Sequence, residues 1–288
     1  MLSLHTNSAA LSAQTSINRT QTSLTTSMTR LSTGYRINSA MDDAAGLQIA
    51  TRLKAQTSGM AVAMRNTQNA TSMLQTAEGS FNEVSNILVR MKDLATQAAD
   101  ASSTADDKTA MQSEFDALGS ELNNIMANTT FAGSKLLTGG AISSAMTFQI
   151  GASSSEKMTL DLSGATLMPK LETDLGSTSA NYAAPNTTGT ELTAVGGANS
   201  TIDKIATALG DVGTIRSALG AASNRLDHVY NNLSNISTNT AAASGRIMDT
   251  DFAAESSNMT SSQMLLQAGT AMLKQSNSMS SLVMSLLQ

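Results

Sequence analysis

RLSTGYRINSAMDDAAGLQIATR, residues 30–52, holds the end of one helix and the start of another, and the rest of the chain is organised around that joint. Gly34 sits where the first helix should stop, because the residue just past a helix end commonly takes positive φ, which glycine adopts without a Cβ clash. From Tyr35 to Asn38 the chain is expected to run extended. Ser39 and Asp42 have the S-x-x-D spacing of a capping box. Asp42 and Asp43 also put negative charge at the positive end of a helix dipole, so a second helix is expected near Asp42.

Before the joint, Leu4, Leu11, Ile17, Leu24 and Leu31, with Met28, recur at a slightly slipped seven-residue spacing in a run of Ser, Thr, Asn and Gln with no acidic residue. A polar helix with one thin apolar stripe lacks the packing to be stable alone and needs a partner. The far end of the chain offers one. Leu265, Ala268, Met272, Met279, Leu282 and Leu286 make a similar stripe, and Lys274 is the one charge after Glu255. Ends so alike are expected to pair, and Gly245 to Phe252 breaks the register there as Gly34 does at the first joint.

Between the ends, the seven-residue repeat is regular. Leu53, Met60, Leu74, Phe81, Leu88 and Ala95 form one seam, and Ile49, Ala63, Ala70, Ala77, Val84, Met91 and Ala98 the other. A helix over 43–99 would be about 85 Å long at ~1.5 Å per residue. Thr104 and Asp107 have capping-box spacing ahead of Met111, Phe115, Leu118, Leu122 and Ile125, a third helix ending near Asn128 and folding back antiparallel. Residues 202–247 give another long heptad helix through Ile205, Val212, Leu219, Leu226 and Leu233. Strand-like alternation at Met146, Phe148 and Ile150, and again at Met158, Leu160 and Leu162, predicts a β-hairpin. From 165 to 200 the chain is rich in Thr, Ser, Gly and Asn with Pro169 and Pro185, and reads as a loop-rich, outward-facing segment.

The fold class is therefore mainly α: long antiparallel heptad helices forming a rod, paired terminal helices and one small β-hairpin region. The expected organisation is residues 1–42 with 249–288 as a terminal-helix domain, 43–165 with 200–248 as the rod, and 166–199 as a short variable surface segment.

Composition removes most alternatives. The 288 residues include 18 Met, 3% aromatics, no Trp and no Cys, which suits slender bundles and excludes disulfides and thiolate chemistry. A net charge of −5 with no basic run argues against nucleic acid. No apolar run is long enough to span a membrane, and MLSLHTNSAALS has neither a basic n-region nor an apolar h-region. His5 and His228 belong to no metal motif, and no phosphate-cradling glycine loop is present. No cofactor and no enzymatic activity are expected. Asp42 and Asp43 are assigned to capping rather than acid–base work.

RLSTGYRINSAMDDAAGLQIATR closely resembles the amino-terminal signature of bacterial flagellins. SGRIMDTDFAAESSNMTSSQMLLQAGTAMLKQSNSMSSLVMSLLQ resembles their carboxyl-terminal pattern, and TTFAGSKLLTGG a third family segment. The resemblance covers roughly residues 1–165 and 200–288. Met41, Met279 and Gln288 depart from it, standing where members often have Lys, Pro and Arg. It implies a structural subunit that polymerises with itself into the helical flagellar filament for swimming or swarming motility. That fits thin rods with apolar stripes on more than one face, which make open-ended heterologous contacts. A hook–filament junction protein with similar ends is the alternative reading, and a coiled-coil adaptor a more remote one. The resemblance further implies secretion by the flagellar type III export apparatus with an export chaperone, contacts with filament cap and hook-junction proteins, and an extracellular location. Residue by residue, it implies that Gly34, Arg36, Ile37, Asn38, Asp42 and Asp43 set the relation between inner and outer layers. In NILVRMKDLATQ, it implies that Arg90 and Leu94, with Glu114, are recognised by Toll-like receptor 5, though Val89 departs from a common Gln.

Overall fold

The alanine-rich heptads become two very long helices. In the computed structural model, which describes residues 7–164 and 167–286, α2 spans Ala44–Ala99 and α6 spans Gly197–Met248. With them go α1 at Ser8–Thr33, α3 at Ala105–Asn128 and α7 at Phe252–Leu286. The chain divides into a terminal unit, Met1–Thr57 with Thr238–Gln288, and a middle unit, Ser58–Ser237. The terminal unit thus reaches past the joint on both sides.

The middle unit is built on the seams read from the sequence. Leu74, Phe81 and Leu88 of α2 meet Phe115 and Leu122 of α3 and Ile205, Val212, Leu219 and Leu226 of α6 in one core, each 1% exposed or less. Alanines at 70, 77 and 98 are buried on the second α2 seam and let the helices approach closely. The Thr104 hydroxyl accepts from the Asp107 N–H, and the Asp107 carboxylate accepts from the Thr104 N–H, so α3 starts with the expected capping box. The same hydroxyl and N–H hold the Asp107 carboxyl below the usual carboxylate range.

Two β-hairpins occur among the described residues where one was expected. β1, Thr130–Phe131, pairs with β2, Ser134–Lys135, around a turn in which Ala132 and Gly133 have φ of 50° and 85°. The anticipated hairpin joins β3, Met146–Gln149, to β4, Lys157–Leu160, with Met146 opposite Leu160 and Phe148 opposite Met158.

The segment read as loop is helical over much of its length. It holds α4 at Met168–Thr178 and α5 at Ala180–Ala183 and buries Met168, Leu171, Leu175 and Tyr182. Pro169 lies in the first turn of α4, where its missing N–H has no helical partner to lose, so it starts a helix rather than breaking one. Lys170 clamps α4 to α6, with Nζ 2.8 Å from Asp174 and 2.5 Å from Asp211, and hydrogen bonds to these two carboxylates, Asp174 foremost, raise its pKa. Gln112 of α3 fastens the following turn. Its Nε2 donates to Asp116 and Glu191, and its Oε1 accepts from the Leu192 N–H.

Candidate functional site

Within the terminal unit the chain crosses the joint twice. Gly34, at φ 76°, ends α1 by donating its N–H to the Arg30 carbonyl. Tyr35 then forms an antiparallel bridge with Asp249, flanked by Arg36 N–H to Met248 O at 2.6 Å and Thr250 N–H to Gly34 O at 3.0 Å. The Arg36 guanidinium donates to the Ile247 carbonyl at 2.9 Å. The two Arg36 bonds satisfy carbonyls at the end of α6 that have no donor within the helix. Ile37 is 2% exposed, and the Asn38 amide donates to the Tyr35 carbonyl. The joint is thus a backbone clasp with one apolar peg.

The capping differs from expectation. Asp42 accepts from the N–H groups of Asn38 and Ser39 at 3.0 and 2.9 Å and from the Ser39 hydroxyl, but the Ser39 hydroxyl accepts from Met41, two residues on. That is a self-contained turn ahead of the helix, because a capping box needs the hydroxyl to reach the third helical N–H. The helix α2 begins at Ala44, and Asp43 caps it, its carboxylate accepting from the Gly46 N–H at 2.8 Å. The Ser39 and Asn38 N–H groups hold the Asp42 carboxyl below the usual carboxylate range.

α1 and α7 lie antiparallel. At one end Asn7 caps α1 through the Ala10 N–H and donates to the Ser276 carbonyl at 3.1 Å. At the other, Arg30 faces Glu255 at 3.7 Å, and Glu255 is only 8% exposed. The shielded positions step by three and four: Ile17, Leu24 and Leu31 with small residues between them on α1, and Met259, Leu266 and Leu273 with small residues between them on α7. At Gly269 a Cβ would stand 2.9 Å from Cγ1 of Ile17, so glycine allows the two helices to close there.

Ile17, Leu24 and Leu31 therefore lie in the seam as expected. Leu265 and Met272 do not: they are 60% and 66% exposed, and the seam uses their neighbours Leu266 and Leu273. Leu11, at 66%, also faces outward. The two α7 registers differ by one residue, and heptad spacing is satisfied by both. Met264, Leu265, Ala268 and Met272 make a second apolar stripe outside the pair. Leu4 lies outside the described residues, as do the side chains of Met279, Leu282 and Leu286.

In the middle unit, the Arg90 guanidinium meets Glu114 through Nε at 2.8 Å and Nη2 at 2.7 Å, both side chains about half exposed. Leu94 is not beside them on the surface. It is 2% exposed in the core with Met91 and Ala98, because the three-helix core covers a wider face of α2 than a two-position seam does. Val89, 50% exposed, is the apolar neighbour of Arg90. Glu255 and the Tyr35–Asp249 clasp escaped the sequence reading. A lone acid opposite Arg30 in otherwise neutral stripes was the available signal for the first. Among the described residues no three of His, Cys, Asp and Glu gather as a metal site requires, and no helix is long and apolar enough to cross a membrane.

Comparison with known proteins agrees with this geometry. Residues 4–142 match the bacterial flagellin N-terminal helical region, and residues 202–287 match the bacterial flagellin C-terminal helical region. The chain is 50% identical over 161 residues to polar flagellin F of Vibrio parahaemolyticus, covering 56% of this chain and 42% of that protein. It is 48% identical over 161 residues to flagellin A of Vibrio anguillarum, with the same shares. The matched stretch thus spans less than half the length of these relatives. A solved structure from Vibrio parahaemolyticus, described as a flagellar hook-associated protein, shares the fold, with a TM-score of 0.53 and 18% identity over 72% of this chain and all of that one.

Proposed function

This chain belongs to the bacterial flagellin family, and on that premise we propose that it is a structural subunit that polymerises with copies of itself into the extracellular helical filament of a bacterial flagellum. The role is mechanical and involves no catalysis. The observation that carries it is the apolar stripe Met264, Leu265, Ala268 and Met272, left outside a pair whose own seam is already filled. In water such a stripe is a cost of roughly 25 cal/mol per Å² of apolar area, recovered when another copy covers it. Leu11 and Met28 add exposed apolar area on α1. The joint residues Gly34, Arg36, Ile37, Asn38, Asp42 and Asp43 hold the paired ends on course into α2 and α6. The same reading extends to passage through the flagellar export apparatus with an export chaperone, and to contacts with filament cap and hook-junction proteins. It also extends to recognition by Toll-like receptor 5 through the exposed Arg90–Glu114 pair rather than through Leu94.

The test is assembly of the purified chain. Sulfate is excluded from protein surface and strengthens apolar association, so ammonium sulfate is expected to drive growth of long filaments visible by electron microscopy. Leu265→Glu with Met272→Glu should leave the monomer folded and abolish that growth. A parent that stops at an oligomer of fixed size, or that adds only to a pre-existing hook end, overturns the proposal.

A further inference from the structure

Among the described residues, the most buried and the most exposed methionines lie in different units. In the middle unit Met60, Met91, Met126 and Met158 are each 2% exposed or less. In the terminal unit Met28, Met41, Met264 and Met272 are 56%, 96%, 60% and 66% exposed. A thioether is oxidised according to its access to the oxidant, so the first group is shielded by the fold and the second is open in the free chain.

We propose that Met264 and Met272 are oxidation sites through which hydrogen peroxide controls assembly: their conversion to sulfoxides blocks the growth of polymer from monomer. The inference rests on the reading that a second copy covers the α7 stripe. In each step a sulfur lone pair attacks one peroxide oxygen, the O–O bond breaks, an S–O bond forms and water leaves. The sulfur loses two electrons and the peroxide is reduced. The product is a polar, strongly accepting group where a flexible apolar side chain stood. Covering a sulfoxide against an apolar surface leaves its oxygen without a donor, which turns a favourable burial into a cost. Met264 and Met272 stand at i and i+8 on the stripe, on either side of Leu265 and Ala268, so two oxidations bracket the contact. The control is one-directional. Once a copy covers the stripe, peroxide no longer reaches either sulfur, so monomers are vulnerable and finished polymer is protected.

The experiment treats the full-length monomer with hydrogen peroxide, maps sulfoxides by peptide mass spectrometry, and measures sedimentable polymer in ammonium sulfate. Met28, Met41, Met264 and Met272 should oxidise before Met91 and Met126. Treated parent should lose sedimentable polymer while keeping its helical circular dichroism. The double variant Met264→Leu, Met272→Leu, close in volume, should polymerise before and after treatment even though Met28 and Met41 still oxidise. In a second measurement, preformed polymer exposed to the same dose should keep Met264 and Met272 reduced. Treated parent that polymerises like untreated parent overturns the inference, as does a double variant that treatment inactivates like the parent, or preformed polymer that oxidises at both positions as fast as monomer. Failure of untreated parent to form any polymer overturns the underlying assembly reading, and the inference with it.

Discussion

Phe81 and Met272 sit on equally regular apolar spacings, yet one is fully buried and the other is 66% exposed. The middle unit closes its seams with its own helices, whereas the terminal unit closes one seam and leaves a second stripe open. Apolar periodicity therefore reports that a surface is to be covered, not by what. Where three helices share a core the chain itself does the covering. Where two helices pair, each has a face to spare, and the partner must come from outside.

That contrast can be broken most directly at Phe81. Phe81→Ala should cost about 3–5 kcal/mol through lost burial and a cavity, read as a lowered midpoint in urea unfolding of the monomer. A smaller effect is expected at the seam of the ends. Gly269→Leu forces the helices apart at Ile17. Overpacking costs about 1–3 kcal/mol and the gain in helix propensity returns at most about 1 kcal/mol. The signature is faster proteolysis within α1 and α7 with an unchanged transition for the middle unit; a shift in that transition would blur the division between units. Asp43→Ala removes the α2 cap and should cost about 1 kcal/mol, visible as faster amide exchange at Gly46 and Leu47.

Acid tests the neighbouring turn. The folded Asp42 carboxyl titrates below its unfolded counterpart, so its contribution is fully present above the ordinary carboxylate range and is lost as the pH falls through its lowered value. Exchange at Asn38 and Ser39 should accelerate on acidification in the parent. Asp42→Asn should abolish that pH dependence. The smallest effect in the monomer is expected at Met272→Ala, within about 0.5 kcal/mol, while the extent of polymerisation falls. A large loss of monomer stability there would mean that the stripe is already covered within the chain.

Much of this was legible in the residues. The α2 seams from Met60 onward, the Thr104–Asp107 box, the β3–β4 pairing and the stop at Gly34 each rest on a local signal that tertiary structure did not override, whereas Ile49, placed on the second seam, is 40% exposed. The misses have physical causes. Met168, Leu171 and Leu175 carry helical spacing, but Pro169 and the polar surroundings hid it, and a proline reads as a breaker unless the helix start is known. Leu265 and Leu266 both continue heptads, so spacing alone could not say which one meets α1. Leu94 lies outside both seams read from the spacing, and its burial comes from a third helix that widens the covered face of α2. The clasp between Tyr35 and Asp249 is made by backbone groups, which every residue carries, so no side-chain pattern announces it.

The clasp also decides which helix α1 meets. By fastening the backbone at 34–36 to the backbone at 248–250, it tethers the start of α7 beside the end of α1. Two segments joined by so short a link encounter each other at an effective concentration on the order of millimolar. A neighbouring copy's α7 competes only when protein is that crowded, so the clasp favours pairing of α1 with the α7 of its own chain.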